Sequence, residues 1–305
     1  MRIVKTIRHF LCATGVLLLF SCVFACKVSD DAAAVSQQMT STSAGLSTYY
    51  GAVADSLTDT ISLNELNLSL FGVPFDDADR KQIEQARAEL LRRKELAQSL
   101  SSLSSSMNAL TNSKASSDVE TAATSLGKEM VSIKALPGGS PIPDALGKAG
   151  NFLIEIVAQH EEKKAAQAMD GTLSALGDLF AKEKPVYDSL VRQHIFLAKV
   201  VASSLIKLQV VDPTPMLQPA LKPFNLTSVT PDENLQNTLR KLAESRLDAA
   251  VEDGNQREAD ASAAMLKALR EMSSRVHLLA TEKPMPFRGN PFSLKVVESW
   301  AASVI

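Results

Sequence analysis

The side chains with the widest chemical reach in this 305-residue chain are three cysteines, Cys12, Cys22 and Cys26, and four histidines, of which His160, His194 and His277 lie beyond residue 30. A metal centre on helices needs Glu-x-x-His or His-Glu-x-x-His spacing, which brings the ligands onto one face. Glu155 stands five residues before His160, off its face, and Glu161 and Glu162 are merely adjacent to it. His160 therefore reads as a helix-surface residue. His194 and His277 sit beside apolar positions and read as hydrogen-bonded core or boundary residues. No Gly-x-Ser-x-Gly turn supports a nucleophile. Gly138-Gly139-Ser140 lacks the lysine and the helix start of a phosphate loop. The expectation is a non-enzyme with no catalytic residue, no metal ligand and no cofactor site. What remains is thiol chemistry at the N-terminus: all three cysteines precede residue 27, so the rest of the chain has no disulfide framework and must be held by packing.

The elements around those thiols are specific. Arg2, Lys5 and Arg8 precede an apolar run from Phe10 through Val16, Leu17, Leu18, Leu19 and Phe20, which is short for a bilayer span and follows the order of a secretory signal. Leu19-Phe20-Ser21-Cys22 sets an aliphatic residue three before the cysteine and a small one just before it, and Val23-Phe24-Ala25-Cys26 repeats the arrangement. Both tetrapeptides resemble the bacterial lipobox, with phenylalanine as a less usual residue in the middle slot. The resemblance implies a lipoprotein signal peptide over residues 1–21, a diacylglyceryl group on the Cys22 thiol with Cys26 as the alternative, and an exported chain tethered to a membrane. Leucine in the outermost slot favours Cys22. Neither Val23 nor Lys27, the residues that follow the two cysteines, is the aspartate that favours inner-membrane retention in enteric bacteria, so the resemblance points to the outer membrane and its periplasmic face. A cleaved secretory signal ending at Ala25 and an uncleaved anchor are the plainer readings of the same residues.

Charge excludes one class of partner. The chain has 32 basic and 34 acidic residues, and loss of Arg2, Lys5 and Arg8 with the leader takes the net charge from −2 to −5. A nucleic-acid binder would show a basic face instead.

Beyond the leader the pattern is helical nearly throughout, with 5% aromatic residues, a single tryptophan at Trp300 and almost no alternating β-branched runs. Val35, Met39, Thr42, Leu46, Tyr49, Val53 and Leu57 recur at helical spacing and predict a helix from about Asp30 to Ile61, followed by an apolar loop over 62–74 that tucks against the end of a bundle. Asp76 or Asp77 starts the next helix, with a stripe through Ile83, Ala86, Leu90, Ala97, Leu100 and Leu103 and a solvated charged face from Arg80 to Glu95. Ser117 to Glu120 resembles a capping box opening a shorter helix, and the Pro- and Gly-rich segment 137–143 ends it. That segment divides an N-terminal helical region, 22–136, from a C-terminal one, 144–305, with the two packed as one bundle. Pro185 either kinks a long helix or opens a new one. Ile195 to Val211 reads as the most buried helix, Asp212 to Thr230 as an extended proline-rich connection, Thr230-Pro231-Asp232-Glu233 as a helix start, and 292–304 as a short last helix. The expected fold is an all-α, elongated antiparallel bundle of about five to seven long amphipathic helices.

These features together predict a membrane-anchored periplasmic helical scaffold or interaction module with an envelope protein partner. An alternative is a binding protein for an apolar small molecule or lipid, with small residues such as Ala149, Ala202, Ala261 and Ala264 leaving room between helices. A third reading, a membrane-active bundle, rests on the apolarity of Ile195 to Val211 alone.

Overall fold

The computed structural model describes residues 3–110, 116–158, 162–221, 233–281 and 294–304, with side chains from residue 34 onward except at some helix ends. These residues form α1 (Ile3–Ser69), α2 (Asp77–Leu110), α3 (Ser116–Ser132), α4 (Asp144–Ala158), α5 (Glu162–Lys207), α6 (Thr214–Leu221), α7 (Glu233–Ala280) and α8 (Lys295–Val304), with no strand among them. The all-α reading holds, as six longer helices plus the short α6 and α8.

The helix α1 is longer than its periodicity indicated. It runs unbroken from Ile3 past Ile61 to Ser69, because no strong breaker occurs after the stripe until Gly72 and Pro74. Its end is set by backbone geometry. Gly72 adopts φ 68°, Val73 N donates to Leu68 O at 3.0 Å and Gly72 N donates to Ser69 O at 3.1 Å, the paired closure of a Schellman cap. The expected tucked loop is thus mostly helix, and its tip does not tuck: Phe71 is 64% exposed. Asp76 then caps α2, its carboxylate accepting Ala78 N at 2.9 Å.

α2 returns antiparallel to α1. Ser36 Oγ donates to Ser104 O and Ser104 Oγ donates to Ser36 O, both at 2.6 Å, so the serine-rich stretch of α2 is a close helix contact. α3 and α4 pack more closely still. A Cβ on Gly150 would lie 2.8 Å from Gly127 O, and one on Gly127 would lie 2.7 Å from Gly150 O. α5 continues through Pro185 as one helix and runs parallel to α1, with Tyr49 level with Phe180 and Thr60 level with His194. α7 runs antiparallel to α5, pairing Asp170 with His277 at one end and Lys207 with Glu244 at the other. One hydrophobic core joins α1 to α5, α7 and α8.

Two expectations are corrected. Ile195 to Val211 is not the most buried helix: past Val191 only Val201 and Ile206 are buried, while Phe196 is 59% and Val210 64% exposed. The segment outruns α1, which ends at Ser69, and its far end keeps α7 beside it, through the Lys207–Glu244 pair. Among the described residues the α5 stretch Gln167–Lys207 is the one long and apolar enough to cross a membrane, and 17% of its most apolar window is buried. The proline-rich connection also holds a helix, α6, begun by Asp212, whose carboxylate accepts Thr214 N at 2.9 Å and Thr214 Oγ1 at 2.7 Å. Prolines at 213 and 215 fall in its first turn, where a missing N–H costs nothing. The Thr230 and Pro231 start signal and residues 222–232 lie outside the described residues.

Substitution tests the α3–α4 contact. Gly150→Ala is expected to destabilise by about 1–3 kcal/mol through forced separation of two backbones, whereas Gly177→Ala, which meets nothing within 4 Å, should gain about 0.5–1 kcal/mol from helix propensity. Urea denaturation of the two variants measures both.

Candidate functional site

The chain's three tyrosines and its one tryptophan converge on a single place. Tyr49 and Tyr50 on α1, Phe180 and Tyr187 on α5, and Trp300 on α8 form a buried aromatic cluster. Tyr49 lies 5.0 Å from Trp300 and 5.3 Å from Phe180 between ring centroids, and Tyr50 lies 5.6 Å from Tyr187. Most pairs are edge-on or tilted, as ring quadrupoles prefer.

Ionisable groups line this cluster on two sides. On the first, Arg93 of α2 is 0% exposed. Its Nε and Nη2 donate to the two oxygens of Glu183 on α5 at 2.8 and 2.5 Å, Nη1 donates to Glu89 O at 2.8 Å, and Nη2 also donates to Lys134 O at 2.8 Å. Tyr187 Oη donates to Glu183 as well. Burial pulls the Arg93 guanidinium down, but the Glu183 carboxylate outweighs it and holds the group above its ordinary value. Burial, reinforced by Glu183, pushes the Tyr50 and Tyr187 phenols well up, so both keep their protons.

On the second side, Glu258 of α7 is 0% exposed, and its Oε1 accepts Tyr49 Oη at 3.1 Å. The carboxyl of Asp188 on α5 is its neighbour, and Asp188 Oδ2 accepts Lys184 Nζ at 2.7 Å. Burial first, and then the Asp188 carboxylate, push the Glu258 carboxyl up to about 7. The chemistry available to a cluster so enclosed is structural: charge pairing and proton holding between helices.

A cleft of about 670 Å³ opens nearby, between the end of α1, the start of α2 and α5. Leu57, Leu68, Ile83 and Leu197 give it an apolar floor, with Thr60 and Gln193 among its polar lining. Ala149, Ala202, Ala261 and Ala264 do not line it. Ala261 is buried within the packed core, while Ala149 and Ala264 are half-buried against it.

Comparison with family profiles, with curated proteins and with solved structures gives no match to this chain.

The residues singled out from the sequence are dispersed. His194 is half-buried with Thr60 Oγ1 3.3 Å from its Nδ1, and burial lowers its ring despite the opposing charge of Asp59. His277 is exposed and lies 2.8 Å from Asp170. His160 lies outside the described residues. Cys22 and Cys26 fall in α1, with side chains outside the described residues. Among the described residues no three His, Cys, Asp or Glu side chains gather as a metal site.

Sequence reasoning missed Arg93, Glu183 and Glu258, and the signal was present. Arg93 fills the position between Leu90 and Ala97 where the α2 stripe skips a turn. Glu183 stands between Phe180 and Tyr187, and Glu258 stands three residues before Ala261, each on the apolar stripe of its helix. A charged residue exactly in phase with a buried stripe has to find a partner inside.

Arg93→Met leaves Glu183 without its ionic partner and is expected to cost about 3–5 kcal/mol. Arg93→Met with Glu183→Leu should recover most of that loss. Equilibrium urea unfolding of the two single variants and the double variant, treated as a cycle, measures the coupling.

Proposed function

We propose that this chain is a lipid-anchored helical scaffold of the bacterial envelope that presents an arm to an amphipathic helix of a second protein. The lipobox-like leader supports the anchor. The arm is the observation that carries the interaction reading. It consists of α5 beyond Val191, α6, and α7 before Glu258, and its only buried positions among the described residues are Val201, Ile206, Thr214, Leu217, Leu239 and Ala243. Phe196, Leu208, Val210, Val211, Leu235 and Leu242 remain exposed on it. Ion pairs Lys199–Asp248 and Lys207–Glu244 hold its two long helices together, and they are solvent-facing pairs that contribute only weakly. An exposed apolar surface of this kind suits docking of an amphipathic helix, and the cluster beneath it supplies a rigid base.

The cleft between α1, α2 and α5 favours a second reading, a binding site for an apolar small molecule, because its volume falls in the range of such sites. Native mass spectrometry separates the two: a small molecule that leaves on Leu57→Trp supports the cleft.

Two measurements test the main proposal. Labelling cells with an alkyne fatty acid should tag the wild type and the Cys26→Ser variant, and the tag should vanish in Cys22→Ser; labelling of neither wild type nor variants would remove the anchor. A photo-crosslinking residue at Val210 should trap one protein partner that the same residue at Val131 on α3 does not, and Phe196→Asp should reduce the yield at least tenfold. Equal trapping at both positions would overturn the arm's role.

A further inference from the structure

The stripe that seats α7 on the bundle begins at Glu258. From Ala261 onward buried residues recur every three or four positions, through Met265, Ala268, Leu269, Met272 and Val276. Before Glu258 the helix touches mainly α5, and Gly254, one turn earlier, packs on Ile195 with only 3.1 Å between an added Cβ and the Ile195 side chain. A carboxyl group thus occupies the root of the arm, where an apolar residue would fit the pattern.

Its hydrogen bonding is incomplete as a carboxylate. Glu258 Oε2 and Asp188 Oδ1 are both buried without a hydrogen-bond partner, and the two carboxyl groups are neighbours. An ionised carboxyl only accepts, so two of them cannot satisfy one another. One proton resolves both: a protonated Glu258 donates from Oε2 to Asp188 Oδ1, while Tyr49 Oη continues to donate to Oε1. The proton is placed on Glu258, because Lys184 Nζ already donates to the other oxygen of Asp188 at 2.7 Å. We propose that Glu258 and Asp188 form a proton-sharing latch at the root of the arm, so that the seating of α7 up to Glu258 depends on one proton.

The surrounding groups leave that proton in control. From α1 the facing titratable group is Tyr49, whose phenol burial and Glu258 hold well above its ordinary value. From α5 the facing groups are Asp188 and Lys184. On α8 Lys295 and Glu298 are exposed on the outer side, and the residue nearest the cluster is Trp300. α6 carries no charged residue. On α7 itself Arg257 pairs with Asp253, and Asp260 accepts from Gln256.

The sign follows from the direction of the shift. Glu258 takes its proton more readily in the folded chain, at about 7, than its ordinary value of 4.5. The stabilisation is complete below the ordinary value and is lost as pH rises through 7, when two adjacent carboxylates at the root repel. The latch is independent of what the arm binds.

Trp300 is the chain's single tryptophan and stacks on Tyr49, the donor to Glu258, so its fluorescence reports on the latch. The experiment is a titration of the purified full chain in neutral detergent from pH 5 to 9, read by Trp300 emission and by hydrogen exchange. The wild type should show one transition with a midpoint near 7, and amides of 235–257 should exchange at least tenfold faster above it while those of 262–280 change little. Glu258→Gln, whose amide donates without titrating, should hold the low-pH signal throughout, and Asp188→Asn should move the midpoint down by more than one pH unit. His194→Gln and His277→Gln should keep the wild-type transition. A flat wild-type titration, a transition that survives Glu258→Gln, or one abolished by either histidine change would overturn the proposal. Far-UV circular dichroism at both pH limits shows that each variant is folded.

Discussion

A guanidinium cannot give up its charge, so burying Arg93 completely requires acceptors for its N–H groups from elsewhere in the fold. They come from the Glu183 carboxylate on α5, the Glu89 carbonyl one turn back on α2, and the Lys134 carbonyl just past α3. Two of these acceptors are backbone atoms, whose positions are fixed by their own elements. Sliding α2 along α5 by one turn would break the Arg93–Glu183 ion pair while both groups stay buried, a penalty of several kcal/mol in either direction. The pair adds little net stability over a well-packed apolar substitute, and its effect lies in excluding other alignments of long, repetitive helices. The aromatic rings pack against this fixed point, which is why a chain with few aromatic residues concentrates its tyrosines and tryptophan there.

Much of the fold was readable from periodicity. All seven stripe positions of α1 from Val35 to Leu57 are buried, and Asp76 caps α2 where the aspartates indicated. Periodicity failed where burial depends on a neighbour's length. The apolarity of Ile195 to Val211 is real, but no calculation on that segment alone shows that α1 stops at Ser69, level with the middle of the segment, and leaves its far end without that neighbour. The α1 boundary was missed because the segment after Ile61 looked like a loop by composition while containing no breaker. The buried ionic residues were misplaced for a related reason. Arg93 was grouped with Arg92 and Lys94 as a solvated face, although its phase along α2 matches Leu90 and Ala97. Charge marked them as surface residues, and phase placed them inside.

Burial is distributed unevenly along the two longest packed helices. α5 from Ala168 to Val191 and α7 from Ala261 to Val276 present a dense series of buried apolar residues to a shared core, and the same helices continue into the arm with a few buried positions each. Opening free energies follow such differences, from near zero where few apolar contacts close to the global value in the core. The arm is therefore the part of the chain free to adjust without loss of the bundle. Gln209, which ends α5 with φ 58°, adds local strain at its far end, since residues with a Cβ resist the left-handed region.

The parallel course of α1 and α5 gives the molecule two unlike poles. Measured along the helices at 1.5 Å per residue, the level of Val35 and the end of α5 at Lys207 are separated by roughly 55 Å. The first turns of α1 lie beyond the Val35 end and the α5–α6 turn at the opposite end. A surface that holds the N-terminal residues would thus be kept at a set stand-off from the apolar tip, much farther than the depth of a lipid headgroup layer. In that arrangement the bundle would be a spacer whose length is set by the number of turns in α1 and α5.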